Sequence, residues 1–170
     1  MPLDEEALQT LLRACQASII PVDELAEEVA AQLNQGVTLG EMRGLTPQHY
    51  ATLYSAATEL CTQERFIEAA QIAVQLVTHE PRDHRYALLA GIALHRLERW
   101  SEAAAMYGLS LQARPTPIAA YRLGECLVEE GRDELALQCF AAVEELCDES
   151  DEQSEIRFWA TECAQAVRDN

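Results

Sequence analysis

Cysteine and histidine are the side chains in this sequence with the greatest capacity for nucleophilic catalysis or metal binding. The ten residues are Cys15, Cys61, Cys126, Cys139, Cys147, Cys163, His49, His79, His84 and His95. The cysteines form no CxxC pair, the histidines form no HExxH motif, and neither set has the spacing of a metal site. No cysteine has sequence neighbours that would lower its pKa. These residues therefore predict neither a metal centre nor a thiol enzyme.

Other catalytic signatures are also missing from the sequence, which has no phosphate-binding loop and no serine elbow. We therefore expect no catalytic residue, no cofactor and no enzymatic activity. Most cysteines lie inside helical apolar patterns, where a free thiol behaves as a small buried hydrophobe. With no signal peptide and no apolar run of membrane-span length, the sequence predicts a soluble protein of the bacterial cytoplasm.

The composition is apolar and strongly acidic. Apolar residues make up 49% of the 170 positions, and the net charge is 12 − 29 = −17, with arginine as the only strongly basic residue. The abundant alanine and leucine favour helices. The acidity disfavours nucleic acid and stable association with anionic membranes, since it would neutralise neither phosphates nor acidic lipids. It is consistent with two roles, solubility or the attraction of a basic or amphipathic partner.

The cysteines and histidines other than those near the two termini lie within or beside three segments that repeat with a period of 33 to 34 residues. Three columns recur at spacings of 34 and 33, namely Ala57, Gly91 and Gly124; Ala69, Ala103 and Ala136; and Ala73, Tyr107 and Phe140. Small residues at the first two columns suit helices that cross closely, and the aromatic rings of the third suit wedges between units. Pro81 and Pro115 end the first two units, since proline interrupts a helix, whereas Asp148 replaces the third proline.

These columns resemble tetratricopeptide repeats at 50–83, 84–116 and 117–149. The predicted fold is all-α, with three repeats in a right-handed α-solenoid, N-terminal helices and a C-terminal capping helix. The corresponding segments are 1–49, 50–149 and 150–170. Stacked repeats need a cap, and a helix beginning after the N-cap Ser154 would bury one stripe, formed by Ile156, Trp159, Ala160, Cys163 and Val167. The acidic stretch 148–152 is interpreted as a solvated turn.

Two further helical patterns, separated by Pro21, precede the repeats. The second ends near Gly36, and its apolar stripe is formed by Val22, Leu25, Val29 and Leu33. Such a stripe needs a partner, so we expect it to form a homodimer contact or to cap the first repeat. An apolar link, 36–44, then connects this helix to the repeats. We expect the link to pack against a groove or a partner subunit.

The order of these elements resembles the class II type III secretion chaperones, the tetratricopeptide-repeat family that holds translocators before export. The matching stretches are Gln35–Met42 (QGVTLGEM), Leu53–Tyr54 and Gly124–Leu127 (GECL), and the likeness runs from about residue 22 to the end. The resemblance implies that a groove binds an extended client segment carrying spaced prolines and a leucine. The client would be a secreted translocator or an effector.

In a curved repeat stack the first helix of each repeat lines the concave face. Helical spacing then selects ten candidate client-binding residues: Tyr54, Thr58, Cys61, Arg85, Leu88, Ile92, His95, Tyr121, Glu125 and Val128. Ordinary packing between helices is the competing interpretation of Leu88, Ile92 and Val128. The two tyrosines suit a half-exposed surface better, because each ring has a polar tip.

Two functional hypotheses follow from the sequence. One is a secretion chaperone that keeps a membrane-active client soluble. The other is a general tetratricopeptide adaptor that assembles folded proteins into a complex. The apolar link and the amphipathic helix before the repeats favour the chaperone.

Overall fold

The computed structural model describes residue 27 and the ranges 30–147 and 151–169, with side chains in the last range described from residue 154 onward. The chain divides into two compact units, Met1–Thr38 and Leu39–Asn170. In the first unit, residues 30–34 are helical. Gly36 follows with φ +84°, at the position where the sequence predicts the end of that helix.

The second unit consists of helices, and no strand occurs in its described residues. The elements are α1 (Leu39–Met42), α2 (Pro47–Thr62), α3 (Phe66–His79), α4 (His84–Arg96), α5 (Trp100–Ala113), α6 (Pro117–Glu129), α7 (Asp133–Leu146) and α8 (Asp151–Asp169). Helices α2 to α7 form three consecutive helix pairs, and α8 packs on the last pair. The predicted all-α repeat fold is thus confirmed.

Each helix pair is held together at the columns that the sequence singled out. A Cβ atom at Gly91 would lie 2.6 Å from the Tyr107 ring, and one at Gly124 would lie 2.4 Å from the Phe140 ring. The rings of α5 and α7 therefore rest directly on the glycines of α4 and α6. In the first pair both positions are buried alanines, with Ala57 at the glycine position and Ala73 at the ring position.

The two helices of every pair are joined by the same turn. Glu64, Glu98 and Gly131 all have positive φ values, of 59°, 58° and 69°. The next residue in each case donates its amide to a carbonyl five residues earlier: Arg65 to Leu60, Arg99 to Leu94 and Arg132 to Leu127, at 2.8 to 3.0 Å. This hydrogen bond and the left-handed residue before it define a Schellman motif. The turn thus repeats with the same period as the helices.

Part of the apolar link packs on the first repeat. Gly40 of α1 is buried, and a Cβ atom there would lie 1.5 Å from the Tyr50 hydroxyl. That hydroxyl donates to the His79 carbonyl at 3.4 Å, and the Arg43 guanidinium donates to His79 Nε2 at 2.8 Å. Residues 39–44 therefore contact α2 and the end of α3, and the close approach of the Tyr50 hydroxyl requires a glycine at position 40.

The C-terminal helix differs from its prediction in two respects. It begins at Asp151, so Ser154 lies inside the helix and is not the N-cap, and residues 151 and 152 belong to the helix and not to a turn. Ile156, Ala160, Cys163 and Val167 pack on the last repeat as expected. Trp159, in contrast, is 49% exposed. The helix buries a stripe centred on Ala160 and Ala164 and leaves the indole beside it half in solvent.

Candidate functional site

The ten predicted client-binding residues lie on α2, α4 and α6, the first helices of the three pairs. We call the surface along these helices and the adjoining face of α8 the first-helix groove. Thr58 and Arg85 are exposed, and the other eight residues are half-buried. All ten therefore keep some surface that a partner could contact.

At the first repeat the groove carries an aromatic and cationic group. The Tyr54 ring lies 5.6 Å from the Tyr86 ring, and the Arg85 guanidinium lies 5.6 Å from the Tyr54 centroid. Arg85 Nε also donates to Asp83 at 2.9 Å. The guanidinium holds the pKa of the Asp83 carboxyl below its usual value. The Thr58 hydroxyl donates to the Tyr54 carbonyl at 2.8 Å, so it already has a partner within its own helix.

In the middle of the groove, apolar side chains have a structural role as well. Leu88, Ile92 and Cys61 pack against a buried core cluster to which all three repeats contribute. Burial raises the pKa of the Cys61 thiol. These three residues are partly accessible but are also tied to the core, so truncating them would change stability together with any binding.

At the third repeat the groove deepens into a cavity of about 290 Å³, which we call the α6–α8 cavity. Its lining comprises His95, Trp100, Glu125, Val128, Glu129, Phe140, Cys163, Ala166 and Val167. The structure thus brings three of the predicted residues, His95, Glu125 and Val128, into one site. The Phe140 ring is buried, whereas Glu129 and Ala166 are exposed. The cavity therefore has an apolar interior and a carboxylate in contact with solvent.

Tyr121 lies beside this cavity. Its hydroxyl is 3.9 Å from Cys163 Sγ, and its ring centroid is 6.1 Å from that of Phe140. Burial, together with the neighbouring Glu125 carboxylate, raises the pKa of the Tyr121 hydroxyl. Glu125 itself accepts from the Arg122 guanidinium at 2.8 Å. Tyr121 is thus a neutral, half-buried ring that joins α6 to α8.

A contact between His95 and Cys126 could not be found from sequence spacing. Cys126 Sγ lies 3.6 Å from His95 Nδ1, across 31 residues of chain. Burial raises the pKa of the Cys126 thiol to about 12 and lowers the pKa of the His95 imidazole. Both groups are therefore neutral near pH 7, which is the opposite of an activated thiolate–imidazolium pair. Within the described ranges, no cluster of histidine, cysteine or acidic residues could hold a metal ion.

Helix α8 contributes more to the groove than the sequence indicated. Cys163, Ala166 and Val167 line the α6–α8 cavity, although the pattern of this helix predicted only a cap. Trp159 lies four residues before Cys163 and seven before Ala166, which places it on the same helical face. The half-exposed indole therefore projects from the same side of α8 as these two residues, although it is not part of the cavity lining. One sequence signal could have revealed that α8 lines the groove as well as capping the last repeat. Its apolar residues cover an arc of the helix that is too wide to be buried against a single neighbour.

The second helices of the repeats form two larger cavities on the other side of the stack. One, of about 640 Å³, lies between α3 and α5, and the other, of about 730 Å³, lies between α5 and α7. Ile67, 61% exposed, borders the first of them. These cavities contain none of the predicted client-binding residues.

Comparison with solved structures identifies proteins of the same fold. A type III secretion system complex from Aeromonas hydrophila superposes with a TM-score of 0.78 at 21% identity, covering 84% of this chain and 95% of that one. The Yersinia enterocolitica chaperone SycD, in complex with a peptide of the translocator YopD, gives 0.69 at 18% identity, with 73% and 95% covered. Pseudomonas aeruginosa PcrH, in complex with the chaperone-binding region of PopD, gives 0.70 at 20% identity, with 74% and 95% covered.

The sequence comparisons give no match, either to a protein-family model or to a curated protein. The likeness to the solved structures is thus one of fold. No helix of the described residues is both long and apolar enough to cross a membrane.

Proposed function

We propose that this chain is a chaperone of a bacterial type III secretion system. It would bind an extended segment of a translocator in the first-helix groove and keep that protein soluble and competent for export from the cytoplasm. The observation that carries the proposal is the groove itself, with aromatic side chains toward both ends and an apolar cavity at the third repeat. Peptide sites commonly combine such apolar pockets with a few polar groups.

Two further observations support this proposal. SycD and PcrH share the fold over nearly their full length. SycD has been solved with a peptide of the translocator YopD, and PcrH with the chaperone-binding region of PopD. The apolar link of this chain also packs on the first repeat through Gly40, as an ordered part of the domain. The proposal assigns no catalytic step to any residue of this chain.

Co-expression with a candidate translocator tests the chaperone function. We expect a translocator that is insoluble alone to remain soluble in a complex with the chain. A translocator that stays insoluble would contradict the chaperone role. Binding only to folded proteins, without any effect on solubility, would favour the general adaptor instead.

The position of the client is tested by truncating groove residues in the complex. Tyr54→Ala and Tyr121→Ala should each weaken binding about thirtyfold, the effect of losing an aromatic anchor worth about 2 kcal/mol. Losing Arg85 or Glu125 should weaken binding less. Thermal melts of each variant separate lost affinity from lost folding.

Ile67→Ala is the matched control for these truncations, because it removes an exposed apolar side chain from the other side of the stack. It should leave affinity unchanged. If both tyrosine variants bind normally and Ile67→Ala binds more weakly, the client binds at the second-helix cavities instead.

A further inference from the structure

The α6–α8 cavity combines an apolar interior with an unbalanced negative charge. Phe140, Val128 and Val167 supply apolar surface large enough for one aliphatic side chain. Two carboxylates, Glu125 and Glu129, stand one helical turn apart on α6 and also line the cavity. An apolar pocket alone would accept any aliphatic side chain of a client. The charges at the cavity therefore decide which client residue can stand next to that side chain.

The two carboxylates differ in their surroundings. Glu125 accepts from Arg122 at 2.8 Å, so its charge is balanced within the fold. Glu129 is exposed and forms no ion pair with any of the described residues. His95, the remaining titratable base at the cavity, cannot balance Glu129, because burial lowers its pKa and keeps the imidazole neutral near pH 7. One negative charge therefore remains open to a partner.

We propose that Glu129 selects the client, by pairing with a lysine or arginine that adjoins the apolar residue seated in the α6–α8 cavity. This inference rests on the proposed function. The occupant is thus an extended client segment with an aliphatic anchor and a cation next to it. Charge complementarity supports the assignment, since the site has one unpaired carboxylate in a chain whose net charge is −17. A complementary charge at an interface contributes chiefly to specificity and to the rate of association.

Selection from a phage-displayed library of random 15-residue peptides tests this assignment on the full-length chain. The wild type should enrich peptides with lysine or arginine beside an aliphatic residue. Glu129→Arg should enrich aspartate or glutamate at that place, and Glu129→Gln should show no charge preference. For one synthetic peptide from the wild-type selection, replacing its cation by glutamate should weaken binding to the wild type about tenfold, and Glu129→Arg should recover most of that loss.

Glu145→Arg is the matched control for Glu129→Arg. Each substitution makes the same charge change at an exposed glutamate in the last turn of a helix of the third repeat, but Glu145 lies on α7, away from the cavity lining. It should leave the wild-type preference intact. A basic preference that persists in Glu129→Arg, or that Glu145→Arg removes equally, would overturn the inference and leave the chaperone function standing. Failure of the wild type to enrich any peptide would contradict peptide binding itself, and with it the proposed function.

Discussion

Tyr107 shows how a single side chain can be both well packed and locally unfavourable. The residue is fully buried against Gly91, and its hydroxyl has no hydrogen-bond partner among the described residues. Burial raises the pKa of that hydroxyl far above its usual value, so it remains neutral. A buried donor without a partner loses its hydrogen bonds to water and gains none in return. The third repeat has Phe140 at the same column, which fills the site without a hydroxyl.

We therefore expect Tyr107→Phe to raise the free energy of unfolding by about 1 kcal/mol, the cost of an unsatisfied buried hydroxyl. Tyr107→Ala should lower it by about 3–5 kcal/mol, because the ring leaves a cavity beside Gly91. Urea unfolding followed by circular dichroism measures both values. A clear loss of stability in Tyr107→Phe would show that the hydroxyl makes a favourable interaction, for example with a buried water.

At the scale of elements, the three turns within the helix pairs share one backbone hydrogen bond but not the residue type at the left-handed position. Glu64 and Glu98 adopt positive φ with a side chain, whereas the third turn uses Gly131. A side chain in this conformation costs about 1–2 kcal/mol because Cβ approaches the following carbonyl. Glycine avoids that cost but loses more backbone entropy on folding.

Glu98→Gly should accordingly stabilise the chain, by about 0.5–1 kcal/mol, and Gly131→Ala should destabilise it by about 1 kcal/mol. Glu98→Ala is the matched control, since it removes the carboxylate but keeps the strained backbone, and its stability should stay close to that of the wild type. Thermal and urea unfolding of the three variants gives the comparison. Equal stability of Glu98→Gly and Glu98→Ala would mean that the turn is not strained.

These elements also show what the sequence could and could not predict. The columns at Gly91 and Tyr107 indicated where helices cross, because a missing Cβ and a large ring at one period have a direct steric meaning. Glu98 gave no sign of its left-handed backbone, since glutamate is rarely found there and only the length of the turn imposes it. The Cys126–His95 contact depends on how successive repeats are staggered. The exposure of Trp159 depends on which side of α8 the last repeat covers, which the helical pattern leaves open.

For the whole molecule, charge is the property that most constrains association. The chain carries −17 in total, so two copies repel each other at long range, and a homodimer requires an apolar contact strong enough to overcome that repulsion. The predicted contact is the stripe Val22, Leu25, Val29 and Leu33. Its first three residues lie outside the described part of the structure. Leu33 is described and is 46% exposed, so its side chain is available to a partner.

We expect the full-length chain to be a homodimer. A chain lacking residues 1–35 should be a monomer that keeps helices α1 to α8, because the second compact unit begins only at Leu39. Leu25→Asp in the full-length chain should also give a monomer, by placing a charge in the apolar contact. Since salt screens the repulsion between acidic subunits, dimerisation of the full-length chain should tighten as ionic strength rises. Light scattering after gel filtration, at low and high salt, measures the mass of the full-length chain, the truncated chain and Leu25→Asp. If Leu25→Asp and the truncated chain both remain dimeric, the contact lies elsewhere; if the full-length chain is monomeric at every salt concentration, the stripe serves the single chain instead.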